Sequence, residues 1–101
     1  MPNLENLKKQ AKALVRLHRA REAIALLQPA LRFEIEGSNL YLSRTEIHAL
    51  LASAWEAQGN RDSAMVHHEI VARTWANGDP PFRARAAQSR AWMTAQQAKR
   101  P

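Results

Sequence analysis

The chain has 101 residues, 46% of them apolar and 24% charged, with a formal net charge of +6. This is the composition of one ordinary globular domain with a modest core. It contains no cysteine, which removes disulfides, thiolate metal sites and thiol nucleophiles. The opening stretch MPNLENLKKQAKALVRLH lacks the continuous apolar segment of a secretory leader. No apolar run approaches the roughly 20 residues a membrane helix needs, so no membrane association and a cytoplasmic location are expected.

Leu4, Leu7, Ala11, Leu14 and Val15 recur at helical spacing, which predicts an amphipathic first helix over residues 3–18, capped by Asn3. Its opposite face carries Lys8, Lys12 and Arg16 at four-residue intervals. A second pattern follows in Ala23, Ile24, Leu27, Ala30 and Leu31. The junction HRAR holds neither Gly nor Pro, so two helices or one long helix through residue 33 both fit. Pro29 should bend the second segment, and Gly37 should end it.

Ser43 and Glu46 form a Ser-x-x-Glu pattern that reads as a capping box, with Leu42 and Ile47 placed as a hydrophobic staple. Helix three is therefore expected from about Arg44 to Gln58, ended by Gly59 in a left-handed turn. Helix four is expected from near Arg61 to about Ala76, stopped by Asn77-Gly78. Asp79 and Pro80 mark a new start, and helix five is expected from about Pro81 to Ala98. It places Phe82, Ala86, Ser89 and Met93 on one side. Five helices without a strand pattern make an all-α chain.

Charge is segregated along this frame. Residues 1–21 balance to +5, residues 22–79 to −4, and residues 80–101 to +5. Such asymmetry can mark an acidic or nucleic-acid partner, although solvated basic helix faces are the preferred account of it.

Sliding the chain by 41 residues superposes the first helix pair on the second: Ala11 falls on Ala52, Leu14 on Trp55, and Ala23 on Ala64. Small residues at 52 and 64 let two antiparallel helices approach, Trp55 fills the space between units, and Gly59 turns the chain. At Leu51-Ala52, Trp55, Gly59 and Ala64 the chain resembles a tetratricopeptide repeat (TPR). His48 stands where that family usually has Trp, and His68 where it has Phe or Tyr. The first unit matches through Ala11, Leu14, Ala23 and Ala30, with Gln10 and His18 departing. The period is longer than the usual repeat of about 34 residues, the excess falling in GSNLYLS. That spacing resembles the TPR-like sensor arrays of some bacterial transcription regulators, and EIVARTWANGDPPFRARAAQSR resembles a final repeat with its closing helix in bacterial signalling proteins.

The resemblance implies an α-solenoid of antiparallel helical hairpins: repeat one over about residues 4–36, repeat two over about 43–78, and a closing helix over about 80–98. It implies a protein-binding scaffold, with the first helix of each pair lining a concave groove. Carried over by position, Lys8, Lys12 and Arg16 face that groove with Glu46, Ser53 and Glu56. Clamps for peptide carboxylates in this family use Lys, Arg and Asn there, and Glu46 and Ala49 depart from that pattern. Ala11, Leu14, Ala23, Ala52, Trp55, Gly59, Ala64 and His68 are expected to pack the repeats.

No catalytic constellation stands out. There is no Gly-rich phosphate loop and no GxSxG, and neither Ser53 nor Ser63 has an evident base nearby. His67 and His68 project about 100° apart on a helix, and the chain has no histidine pair spaced by four and no HExxH. Neither a metal nor another cofactor is expected. Tryptophans 55, 75 and 92 read as helix-packing residues rather than base-stacking platforms, with Trp92 the most exposed. The leading expectation is a scaffold that binds a protein or peptide, acidic where it meets the basic row. An oligomerising regulatory module and nucleic-acid binding through the basic ends are the alternatives. Leu4, Leu7 and Leu14 would be open on helix one, which predicts a homodimer through that face.

Overall fold

The structure, a computed structural model, describes residues 4–31 and 40–99. Its elements are all helices: α1 Leu4–Arg16, α2 Ala20–Ala30, α3 Leu40–Gln58, α4 Arg61–Thr74 and α5 Pro80–Ala98. Among the described residues none is long and apolar enough to cross a membrane. Each helix packs on its neighbour in the chain, and α1 packs on α3 as well as on α2.

The junction between α1 and α2 resolves into two helices. The chain leaves α1 through His18 in the left-handed region, φ +62°. The His18 N–H bonds the Val15 carbonyl at 3.1 Å, and the Arg19 N–H bonds the Leu14 carbonyl at 2.7 Å. These paired bonds satisfy carbonyls that the end of a helix would otherwise leave bare. The same turn closes α3. Gly59 has φ +84°, its N–H reaches the Glu56 carbonyl, and the Asn60 N–H reaches the Trp55 carbonyl, both at 3.0 Å. His18 stands 41 residues before Gly59, the same shift that superposes Ala11 on Ala52.

Other starts and stops differ from expectation. Helix α3 is already under way at Leu40 and runs through Ser43, so Ser43 is not its cap. The Glu46 carboxylate does not reach back along the backbone but meets cations on α1 and α5. Helix α2 ends at Ala30, one residue past Pro29, where the missing proline N–H and the ring's steric demand oppose further turns. Gly37 and Asn3 lie outside the described residues. Asn60 caps α4, its side chain accepting from the Ser63 N–H at 3.0 Å. Asp79 precedes α5 in extended geometry, yet its side chain makes no cap bond. Its backbone carbonyl accepts from Phe82 and Arg83 instead.

Two apolar clusters hold the helices. Leu7 and Ala11 of α1, Ala23, Ile24 and Leu27 of α2, and Ile47, Leu50, Leu51 and Ala54 of α3 form the larger, with Leu14 and Trp55 packed against it. Val71, Trp75 and Ala86 form the smaller, with Ala49 and Phe82 beside them. Ala52 and Ala64 are both fully buried, as a close α3–α4 approach requires. Leu7 is buried and Leu14 partly so, so these two do not form the open apolar patch anticipated for a dimer; the Leu4 side chain lies outside what is described. Leu17 and Val66 are the large apolar side chains left exposed among the described residues.

Candidate binding groove

The three helices α1, α3 and α5 bring most of the anticipated groove residues to one side. Between α1 and α3 lies a hollow of about 310 Å³ floored by Ala11, Val15 and Leu50 and edged by Lys12, Arg16 and Ser53. Between α3 and α5, over α4, lies a second of about 280 Å³, lined among others by Ala49, Ser53, Glu56, Gln88 and Trp92. Ser53, exposed on α3, borders both hollows.

One end is closed by a charge cluster. Glu46 of α3 is buried, with Lys8 Nζ of α1 at 3.0 Å and an Arg85 guanidinium nitrogen of α5 at 2.5 Å. Burial alone would raise the Glu46 carboxyl pKa. Arg85 and Lys8 outweigh it and hold the group below its ordinary value. Arg85 also lies over the Trp75 ring, 4.6 Å from its centroid, a favourable site for a guanidinium. Lys8 and Arg85 are thus committed to Glu46, whereas Lys12 and Arg16 are exposed and have no carboxylate partner among the described residues. The basic row divides into one structural lysine and two available cations.

The opposite wall is organised by His68. Its Nε2 meets a Glu56 carboxylate oxygen at 2.7 Å and its Nδ1 pairs with the Ser89 hydroxyl at 2.9 Å. Its ring stacks on Trp92 with centroids 4.4 Å apart. His68 therefore packs between α3 and α5, and Trp92, expected to be the exposed tryptophan, is half-buried by that stack. Glu, His and Ser are the types of a hydrolytic relay. Here, however, Ser89 is 6% exposed and sits inside α5, where the N–H groups beside it are consumed by the helix and cannot hold an oxyanion. The chain of bonds fastens α5 to α3 and α4.

The other adjacent histidine, His67, turns away to His48 of α3, Nδ1 to Nδ1 at 2.9 Å. Burial holds both rings below the ordinary histidine pKa, aided by Arg44 at His48 and by the neighbouring histidines at His67, which is lowered to about 4. Sequence spacing separated His67 from His68 correctly, but it could not supply their partners across helices. Among the described residues no three His, Cys, Asp or Glu side chains converge as an ion site. Comparison with protein-family models, curated proteins and solved structures finds no match to this chain.

Proposed function

We propose that the chain is a non-catalytic, TPR-like helical-repeat scaffold whose groove across α3 receives an acidic peptide or helical segment of a protein partner. The observation that carries this reading is the division of the groove's cations. Lys8 and Arg85 are neutralised on Glu46, while Lys12 and Arg16 flank an apolar floor with no counter-charge among the described residues. An acidic side chain beside an apolar one matches that wall in charge and in hydrophobicity. The identical turns at His18 and Gly59, and the packing of α1 on both α2 and α3, support the repeat reading.

The test is fluorescence anisotropy with a panel of labelled peptides of equal length, acidic-apolar, neutral and basic, together with duplex DNA. Acidic-apolar peptides should bind best, and the double change Lys12→Glu/Arg16→Glu should weaken them more than about tenfold while helicity by circular dichroism is kept. Unchanged affinity in that variant would place the site elsewhere. Tight DNA binding with a steep dependence on salt would replace the peptide reading with phosphate recognition.

A further inference from the structure

His48 and His67 face each other across the seam of α3 and α4, Nδ1 atoms 2.9 Å apart, ring centroids 5.1 Å apart and planes tilted by 31°. Two neutral imidazoles so placed share one hydrogen, one Nδ1 donating and the other accepting. The helices that carry them approach closely over Ala52 and Ala64, both fully buried. Neither histidine lines the groove, so the pair has no part in the function proposed above.

We infer that this pair is a binding site for a divalent transition-metal ion that favours imidazole, such as Zn²⁺, Ni²⁺ or Cu²⁺, bridging α3 and α4. An ion holding two nitrogens at about 2.0–2.1 Å keeps them about 3.3 Å apart in tetrahedral geometry and about 2.9 Å apart at the right angle of a square or octahedral shell. The observed spacing is 2.9 Å, which matches the right-angle value. The donor ring shifts its hydrogen from Nδ1 to Nε2, both Nδ1 atoms then present a lone pair, and no proton is lost overall. Both histidines are half-buried, so water would have to complete the shell on the solvent side. Arg44 acts electrostatically on His48, and His68 on His67. Arg44 is drawn toward the Leu31 carbonyl at 2.5 Å, and His68 is occupied by Glu56 and Ser89. With two protein ligands the site binds more weakly than a four-ligand structural zinc centre.

The experiment titrates ZnCl₂, NiCl₂ and CuCl₂ into the untagged full chain at neutral pH, read by isothermal calorimetry and thermal melting. An ion that binds only the folded chain raises the melting temperature. The rise should be retained in His18→Gln, and affinity should fall more than about tenfold in His48→Gln and in His67→Gln. No heat and no rise with the native chain would overturn the inference. So would a rise that survives both substitutions, or one lost in His68→Gln but kept in His67→Gln. A readout independent of any variant's folding is proton NMR of the native chain. Zn²⁺ should move the ring resonances of His48 and His67 and leave those of His18 in place, and movement confined to other histidines would refute the site.

Discussion

Replacing Gly59 by alanine isolates the conformational cost of the α3–α4 turn. The residue sits at φ +84°, and a Cβ placed there meets no atom within 4 Å, so the change brings no clash. What remains is the left-handed penalty of an L-residue, about 1–2 kcal/mol. The smaller freedom of alanine in the unfolded chain offsets about 0.4–1 kcal/mol of it. The net loss is about 1 kcal/mol, a fall in melting temperature of roughly 4–8 °C for a domain of this size. His18 makes the same turn from the other side of the ledger. It is exposed, already bears the penalty at φ +62°, and His18→Gly should therefore stabilise by about 1 kcal/mol. Reversible thermal and urea melts of both variants measure the pair. A neutral Gly59→Ala, or a destabilising His18→Gly, would show that the two turns are not conformational equivalents.

Ala64→Leu forces a larger side chain into a fully buried position and should cost roughly 1–3 kcal/mol by calorimetry. Glu46→Gln removes the anion that Lys8 and Arg85 share and should cost roughly 2–3 kcal/mol, measured by urea unfolding. Because the folded Glu46 pKa lies below 4.5, its contribution is full above that value and is lost as pH falls through the folded pKa; Glu46→Gln should flatten this acid limb. His67 is lowered to about 4 from 6.5, so the unfolded chain takes up protons first. Stability should decline as pH falls from about 6.5 toward 4, and melting temperatures of His67→Gln should depend less on pH in that window.

Much of the helical frame is legible because local signals and tertiary demands agree there. Gly59 and the alanines around it mark the α3–α4 hairpin, and Pro80 marks the start of α5. The α1–α2 turn was ambiguous locally, since histidine is not a helix breaker. The clue lay in the 41-residue self-alignment, which puts His18 on Gly59 just as it puts Ala11 on Ala52. Ser43 and Glu46 misled because a Ser-x-x-Glu spacing also occurs inside a helix when the glutamate has distant cations to meet. The candidate site is legible only in part. Lys12 and Arg16 share a helix face that periodicity carries, and Ser53 comes only from the repeat resemblance, but Arg85 and Glu46 are 39 residues apart, and their meeting depends on how α5 crosses the hairpin before it. The pairing of His48 with His67 rather than with His68 depends likewise on which side of α4 faces α3. Leu7 looked like open surface because the closing of α1 over α2 and α3 is a property of the whole assembly.

The two apolar clusters share only α3 as their common wall, and among the described residues α1 and α2 make no backbone approach to α4 or α5. Such a layout predicts two units of cooperativity, each cluster losing its packing while the other keeps its own. Amide hydrogen exchange should then fall into two tiers, with the smaller cluster's α4 and α5 exchanging through partial opening and the inner face of α3 only through global unfolding. A segment bound as proposed would lie against Lys12 and Arg16 on one unit and Gln88 and Trp92 on the other. Its binding would join the two tiers into one, so that the occupied chain melts as a single body where the free chain opens from its C-terminal side.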